Sequence, residues 1–400
     1  MQNHPAMVQQ SSNSASKKRI RNVVIFGATG SIGTSALNVI RRHRDRFSVV
    51  GISANTNVEK LAEIAWEFAV ENICIFDENA LGNKHALFKS GTKFFTGTGG
   101  LDDLAKISEA DSVLIAIVGI SGIGPTIAAI ESGKNAMLAS KEVLVVAGKF
   151  VTECAEKNGI QLLPIDSEHN AIFQCLRGNE MKFVDKLILT ASGGPFRNFS
   201  KNDLKNVTVE QAMRHPTWAM GKKITIDSAT MANKGLEIME ARWLFNIPSG
   251  RIDAIVHPES VVHSMVKFCD GSIIAQMCPP NMEFPIANCL FYPDRIPFTG
   301  NSVDFAAQRS LTFFEIDVEK FPIIELARKC LAKETNACAA FHGANEVAVE
   351  KFLAKKIKFP QIYEIVARVL DAYGGEQTSS IENCIASVAR ARELAESITR

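Results

Sequence analysis

The stretch NVVIFGATGSIGTSALNVIRRHRDRF, residues 22–47, decides the fold of this chain. An apolar run at 23–26 predicts a buried strand, a glycine-rich loop follows at 27–33, and the next residues have the spacing of an amphipathic helix. This order is typical of a dinucleotide-binding unit, because glycines let the backbone approach a pyrophosphate and the helix N-terminus offers free N–H groups. The spacing is GxxGxxG and not GxGxxG, so a glycine turn in another kind of α/β unit remains an alternative.

The alternation of short apolar strands with helices continues beyond this stretch. It runs through SVVGISA (48–54), LAEIAWEFAV (61–70), NICIF (72–76), DSVLIAIVG (111–119), NAMLAS (135–140) and IQLLPID (160–166). This alternation predicts an α/β fold with a Rossmann-like parallel sheet and helices on both faces. Ligands of such sheets bind at the carboxyl ends of the strands.

The pattern changes after Asp166. Longer strand patterns at 186–191, 251–256 and 271–277, with one clear helix pattern at 235–245, predict an α+β catalytic domain. From Phe321 onward helical periodicity predicts a small C-terminal helical domain. We therefore expect a disordered extension (1–20), a nucleotide-binding domain (21–165), a catalytic domain (166–291), a linker (292–317) and the helical domain (318–400).

Composition limits the possible partners. The chain has 400 residues, is 46% apolar and carries a net charge of +1, so it has no general attraction for nucleic acid or anionic membranes. No apolar run reaches the roughly 18–20 residues of a membrane span. Nine cysteines, an odd number without a CxxC pair, favour a reducing compartment, and we expect a cytoplasmic protein. Residues 1–19 contain no acid and no apolar signal core, which favours a disordered tail and leaves organellar import open.

The residues after the second predicted strand bear on the choice of cofactor. NAD-binding units usually carry an acid about 20 residues after the glycine loop, where it binds the ribose 2′-hydroxyl. Here the sequence reads Ser53-Ala54-Asn55-Thr56-Asn57, which has no carboxylate to repel a 2′-phosphate and several side chains to receive it. NADP(H) is therefore favoured over NAD(H), although no arginine is present at this place.

The segment LLPIDSEHNAIF (162–173) holds an acidic cluster. In strand geometry, Asp166 and Glu168 would point to the same side, and two adjacent carboxylates need a cation or protons. No lysine or arginine lies within five positions, and hard oxygen ligands without thiolates favour Mg²⁺ or Mn²⁺. A helix cap for residues 171–176 explains the segment equally well.

A second polar segment, ITIDSATMANKGLEIMEARWLF (224–245), favours the metal-site interpretation. Ser228, Asn233 and Lys234 precede a predicted helix and form a plausible phosphate seat. Either Glu237 or Glu240 could supply a third metal carboxylate, although an exposed pair with Arg242 or a neighbour is the favoured interpretation of Glu240.

Three further segments are candidates for the site. TASGGPFR (190–197) places Ser192 in an oxyanion turn at a strand end. HPTWAMGKK (215–223) puts His215, Trp218 and Met220 on a loop that is either a substrate lid or a loop pinned on the core by Trp218. In HPESVVH (257–263) we expect one of the two histidines to be structural.

These motifs together resemble the 1-deoxy-D-xylulose 5-phosphate reductoisomerase family. The matching segments are GATGSIG, AIVG (116–119), ASKEVLV (139–145), LLPIDSEHNAIFQ, ASGGPF, HPTWAMGKKITIDSATMANKGLEIMEARWLF and HPESVVHSM. They occur in the family's order and cover about residues 22–395. The resemblance implies an NADPH- and divalent-metal-dependent homodimer that converts 1-deoxy-D-xylulose 5-phosphate to 2-C-methyl-D-erythritol 4-phosphate.

The resemblance also implies roles for individual residues. It assigns the metal to Asp166, Glu168 and Glu237, and so selects Glu237 over Glu240. Ser192, Ser228, Asn233 and Lys234 would bind the substrate phosphate, with Ser167 and His215 on the sugar portion. Thr29, Gly30, Ser31, Ile32, Lys141 and Glu142 match the family's cofactor contacts. We also expect cofactor contacts at Gly221 and at the Asn55, Thr56 and Asn57 of the strand end described above. The catalytic set is then Asp166, Glu168, Glu237, Lys234 and His215, with Trp218 and Met220 on a mobile lid and His263 near the active site.

The chain departs from the family pattern at two internal segments, and two other functions compete with the one that the resemblance implies. ASKE replaces the frequent ANKE, which changes the cofactor contact at Ser140, and PPNMEFP (279–285) carries Asn281 and Glu283 in place of an acid and an arginine. A plain NADP-dependent sugar-phosphate or semialdehyde dehydrogenase would explain the glycine loop but not three separated carboxylates. A non-catalytic nucleotide sensor predicts loss of these carboxylates, and all three are present.

Overall fold

The structure is a computed structural model that describes residues 19–218, 220–297, 300–333 and 335–399. The expected disordered extension lies almost entirely outside these residues. The first part of the chain alternates strands and helices. Its elements are β1 (Arg21–Phe26), α1 (Ser31–Arg42), β2 (Phe47–Ala54), α2 (Val58–Phe68), β3 (Asn72–Ile75), α3 (Glu78–Leu81), β4 (Lys93–Thr96), α4 (Gly97–Lys106), β5 (Ser112–Ile115), α5 (Ile123–Glu131), β6 (Asn135–Leu138), α6 (Glu142–Lys157) and β7 (Leu162–Pro164).

Seven parallel strands form the first sheet, in the order β4-β3-β2-β1-β5-β6-β7. Alternate residues of β1 face two separate cores. Val23 and Ile25 pack in the core of α1 and α2, while Val24 and Phe26 pack in the core of α4, α5 and α6. This division confirms the predicted sheet with helices on both faces. Strand β4 was not predicted, because its four residues KFFT are too short for a clear pattern.

The second part of the chain contains a smaller mixed sheet and a group of helices. Its elements are α7 (Ser167–Cys175), β8 (Val184–Ala191), α8 (Val209–Ala212), α9 (Lys222–Thr230), α10 (Ala232–Leu244), β9 (Ile252–Val256), β10 (Val262–Phe268), β11 (Ile273–Met277), α11 (Glu283–Phe291), α12 (Ile323–Ala332), α13 (Ala337–Leu353), α14 (Phe359–Tyr373) and α15 (Ile381–Ile398). The sheet order is β11-β10-β8-β9, with β10 antiparallel to both its neighbours and β9 parallel to β8. The C-terminal helices share a continuous core with α6 and α10.

Helix α11 ties the second part of the chain back to the first. It packs against α1, and Glu283 at its start forms an ion pair of 2.5 Å with Arg42 of α1. Arg21 in β1 donates to the carbonyl of Leu290 at 3.0 Å. The departure at Glu283 therefore has a partner within the chain, and Asn281 accepts the Glu283 backbone N–H at 2.9 Å.

The structure corrects the predicted start of the helix after Met231. Residues 222–230 form a helix of their own, and α10 begins at Ala232. Met231 has φ +66°, a left-handed conformation that ends one helix and lets the next begin in a new direction. Ser228 therefore lies in the last turn of α9, while Asn233 and Lys234 lie in the first turn of α10 and not before it. In the part of the chain described here, no helix is long and apolar enough to cross a membrane.

Candidate active site

A cleft of about 480 Å³ lies between the carboxyl ends of the central parallel strands and helices α9 and α10. Its walls come from the glycine loop, the ends of β5 to β7, the turn after β8 and the loop before α9. The glycine loop forms one side because Gly27 has φ +79° and any Cβ there would lie 2.4 Å from the carbonyl oxygen of Ala116. The cleft is where a parallel sheet of this kind binds ligands.

Three carboxylates meet at the bottom of this cleft. Asp166, Glu168 and Glu237 each present one oxygen atom within 4.8 Å of the others. Asp166 is the N-cap residue of α7 and Glu168 lies in its first turn, so the predicted strand geometry of this pair is wrong. The Asp166 side chain makes no capping hydrogen bond, so position as a cap does not account for its carboxylate. Glu237 comes from α10 and is almost fully buried.

Two lysines supply the positive charge that neighbouring sequence positions lacked. The Nζ atom of Lys234 lies 2.9 Å from Glu168 and also contacts Glu237, while Lys141 Nζ lies 2.9 Å from Asp166 and 3.4 Å from Glu237. Burial opposes the charged form of Lys141, but Asp166 and Glu237 outweigh it and raise its pKa well above the usual value. Lys141, expected on the cofactor, is thus a member of the carboxylate cluster.

The donor set fits a hard divalent cation. The three carboxylates each present an oxygen atom within 4.8 Å of the others, and burial together with the charge of Glu168 raises the pKa of Glu237. Oxygen donors of this kind are those that Mg²⁺ and Mn²⁺ prefer. A bound cation would relieve the repulsion between these three crowded acidic groups.

Glu240 and His169 form a second buried pair, and His169 connects this pair to Asp166 of the carboxylate cluster. Glu240 is buried and faces the Nδ1 atom of His169 at 3.5 Å, so the prediction of an exposed pair with Arg242 is wrong. His169 Nε2 lies 2.9 Å from the Glu237 carbonyl oxygen, to which it can only donate, and its Nδ1 is 3.6 Å from Asp166. Burial raises the pKa of Glu240 to about 8. His169 was missed as a site residue, although it follows Glu168 directly.

The residues expected at the substrate phosphate converge around His215. Its Nε2 atom lies 3.1 Å from the hydroxyls of both Ser192 and Ser228. Its Nδ1 accepts the backbone N–H of Trp218 at 2.9 Å, which assigns the proton to Nε2. Burial lowers the pKa of His215, so the ring is neutral at pH 7.

Asn233, Lys234 and Ser167 lie beside this group but are engaged elsewhere in this structure. Asn233 donates to Glu237, Lys234 bonds the carboxylates, and the Ser167 hydroxyl donates to Glu168. They line the same cleft as Ser192.

The expected cofactor residues divide into two groups. Those that line the cleft are Gly30, Ser31, Ile32, Lys141, Glu142 and Gly221. Asn55, Thr56 and Asn57 are exposed at the end of β2, outside the cleft lining, and the Asn57 side chain caps α2. Thr29 lies between these groups, with its carbonyl oxygen 2.9 Å from Nζ of Lys60, a residue that sequence patterns did not single out.

The loop before α9 covers part of the cleft. The Trp218 ring lies 6.4 Å from that of His263, and both residues line the cleft with Met220. His257 is the structural histidine, since its Nε2 accepts two backbone N–H groups and its Nδ1 lies 2.9 Å from the Thr312 carbonyl oxygen. At the departure from ANKE, the Ser140 hydroxyl donates to the carbonyl of Ile117, two residues after the end of β5, and so holds the segment that follows this strand.

Comparison with known proteins identifies the family. A family model for 1-deoxy-D-xylulose 5-phosphate reductoisomerase matches residues 23–148, and two models for C-terminal domains of this enzyme match 162–245 and 277–394. The curated enzymes of this name from Thermoanaerobacter sp. (strain X514) and Chloroherpeton thalassium are 46% and 44% identical over 367 residues, which are 92% of this chain and 96% and 95% of theirs.

Solved structures agree with this assignment. The enzyme from Zymomonas mobilis in complex with NADPH has a TM-score of 0.90 at 42% identity, covering 96% of this chain and 100% of that one. A DOX-P reductoisomerase in complex with NADPH, fosmidomycin and magnesium has a TM-score of 0.88 at 39% identity, covering 95% and 98%. The chain therefore belongs to the 1-deoxy-D-xylulose 5-phosphate reductoisomerase family.

Proposed function

We propose that this chain converts 1-deoxy-D-xylulose 5-phosphate to 2-C-methyl-D-erythritol 4-phosphate with NADPH and a divalent cation, a step of non-mevalonate isoprenoid synthesis. The observation that carries the proposal is one cleft that joins three kinds of group. These are the cluster of Asp166, Glu168 and Glu237, the serine hydroxyls around His215, and the glycine loop at the sheet edge. A dehydrogenase acting on a simple alcohol needs only the last of these.

Asp166, Glu168 and Glu237 would hold Mg²⁺ or Mn²⁺. When bound, the cation would supply Lewis-acid polarisation to the ketone and neighbouring hydroxyl of the substrate. His169 supports this site by donating to the Glu237 carbonyl, and Glu240 lies behind it. Such neighbours fix the orientation of metal ligands, so the site is more than its three carboxylates.

The phosphate of the substrate would be bound by Ser192, Ser228, Asn233 and Lys234. Gly194 holds this turn in place, because its φ is +66° and a Cβ there would lie 2.8 Å from the Ser228 carbonyl oxygen. His215, with its proton on Nε2, donates a hydrogen bond toward the substrate, and Ser167 contacts the sugar portion. Binding a phosphate remote from the reacting carbons orients the substrate and contributes to catalysis.

NADPH would be bound by the cofactor residues named above and supplies the hydride for the final reduction. Closing of Trp218 and Met220 over the substrate would exclude water from the cleft. We further propose a division into residues 21–165, 166–291 and 318–400, joined by a linker at 292–317. The change from one family model to the next between residues 148 and 162 lies near the first of these boundaries.

The direct test mixes purified protein with 1-deoxy-D-xylulose 5-phosphate and NADPH and follows NADPH absorbance with and without Mn²⁺. The proposal predicts oxidation that requires both the sugar phosphate and the cation. Metal-independent oxidation, or none with this substrate, would contradict it.

We further propose a homodimer that acts on a small molecule in the cytoplasm. Strand β11 is at the edge of its sheet and exposes Ile273 and Ile274, which are 52% and 41% exposed. An exposed apolar edge strand is a surface that proteins usually cover. The nine cysteines are all free, which supports a reducing compartment.

A further inference from the structure

The side chain of Lys60 connects the end of β2 with the glycine loop. Lys60 lies in the first turn of α2, and its Nζ atom is 2.9 Å from the carbonyl oxygen of Thr29 and 3.4 Å from the hydroxyl of Thr34. Its ammonium group is therefore held over the loop expected to bind the cofactor pyrophosphate. The backbone N–H of Lys60 is bonded by the Asn57 side chain at 3.2 Å, which fixes the start of the helix.

The charge of this ammonium group is not neutralised within the chain. Across the described residues, no carboxylate lies within ion-pair distance of Lys60. The adjacent acid of α2, Glu59, pairs with Lys84 at 2.8 Å. The two oxygens that Lys60 contacts are both uncharged.

Fewer neutral side chains at the end of β2 are free to contact a cofactor than the sequence indicated. The hydroxyl of Ser53 accepts the backbone N–H of Gly27 at 3.0 Å, so it supports the glycine loop. Asn57 is used as the cap of α2. Asn55 and Thr56 are exposed, and they can donate hydrogen bonds but carry no charge. Lys60 therefore brings a positive charge to the glycine loop from the helix that begins just after the strand end.

We propose that Lys60 is the residue that selects NADP(H) over NAD(H), by pairing with the 2′-phosphate of the adenosine ribose. In this fold the ribose hydroxyls lie at the end of β2, where an acid would select NAD(H). The 2′-phosphate is the only difference between the two cofactors, and a charge-assisted hydrogen bond to it discriminates against the form that lacks it. This inference rests on the proposed function only for the identity of the cofactor.

The test measures binding to the full-length protein without sugar phosphate, by calorimetry or by quenching of protein fluorescence. The probes are NADPH, NADH and 2′,5′-ADP, and the variants are Lys60→Ala, Lys60→Gln and Lys60→Arg. We expect Lys60→Ala and Lys60→Gln to weaken NADPH and 2′,5′-ADP binding by at least about tenfold, the typical effect of losing a hydrogen bond to a charged group. NADH binding should change less than about twofold, and Lys60→Arg should retain the preference.

The control variant is Lys84→Ala, which removes a nearby lysine that already has Glu59 as a partner. It should leave the NADPH to NADH affinity ratio unchanged. If Lys60→Ala and Lys60→Gln keep the wild-type ratio, the inference is wrong even when the enzyme turns over. If the wild type shows this Lys60-dependent ratio but no activity on the sugar phosphate, the proposed function fails and the inference stands.

Discussion

Replacing Lys234 by Gln should destabilise the cation-free protein more than the cation-bound protein. Lys234 is 3% exposed and contacts both Glu168 and Glu237. Its loss leaves three carboxylates against the single ammonium group of Lys141. Removing one partner of a buried ion pair typically costs about 3–5 kcal/mol, because a buried charge is left uncompensated.

A divalent cation should restore much of this stability. At a hundred times its dissociation constant, a ligand stabilises the folded state by about 2.7 kcal/mol. In the wild type, cation binding must displace the ammonium group of Lys234 from Glu168 and Glu237, whereas in Lys234→Gln only that of Lys141, 3.4 Å from Glu237, still contacts these two groups. The same Mg²⁺ concentration should therefore raise the melting temperature of the variant more than that of the wild type.

The assay is thermal unfolding in EDTA and in a series of Mg²⁺ concentrations. Lys222→Gln is the matched control, since Lys222 is exposed at the margin of the same cleft. The reasoning is refuted if Lys234→Gln unfolds at the wild-type temperature in EDTA. Equal Mg²⁺ responses of variant and wild type would also refute it.

Three further predictions concern other parts of the chain. Ser228→Ala should weaken inorganic phosphate binding by about tenfold, because one hydrogen bond to a charged group is lost, and Mn²⁺ affinity should stay unchanged. If a titration shows equal phosphate affinity for variant and wild type, Ser228 is not part of the phosphate site. Ile274→Lys on β11 should convert a dimer to a monomer by light scattering, whereas Leu87→Lys, equally exposed elsewhere, should not; a dimer of both variants would place the interface elsewhere. Burial lowers the pKa of His342 to about 4. Between about pH 6.5 and 4 this histidine is therefore protonated in the unfolded chain but neutral in the folded one, and the free energy of unfolding falls as the pH falls. His342→Asn should remove on the order of 1–3 kcal/mol of this loss, and parallel unfolding curves of variant and wild type from pH 7.5 to 5 would contradict the assignment.

The nucleotide-binding sheet could be predicted because its information is local. Each short strand is apolar on both faces, and the glycine loop is read directly from residues 27–33. Strand β4 was not predicted because its four residues are mostly half-exposed and carry no periodic signal. The break between α9 and α10 at Met231 was not predicted for another reason. Its left-handed conformation is one that methionine does not favour, so the residue type gives no sign of it.

The candidate site was predictable in its members but not in their contacts. Asp166, Glu168 and Glu237 were recognised through motifs, yet Lys141 and Lys234, which pair with Asp166 and Glu168, come from other elements than these two carboxylates. Pairing across a fold depends on tertiary packing, which residue spacing does not encode. The burial of Glu240 behind His169 is the same kind of fact: a glutamate beside an arginine in sequence is ordinarily exposed.

The measurement that tests the central claim most directly is a Mn²⁺ titration of the wild type and Asp166→Asn, followed by the free-ion EPR signal. The claim is that Asp166, Glu168 and Glu237 together bind the catalytic cation. It predicts one Mn²⁺ bound per wild-type chain, loss of that binding and of turnover in Asp166→Asn, and unchanged NADPH affinity in both. Wild-type Mn²⁺ affinity in Asp166→Asn, or a collapse of NADPH binding with it, would contradict the account.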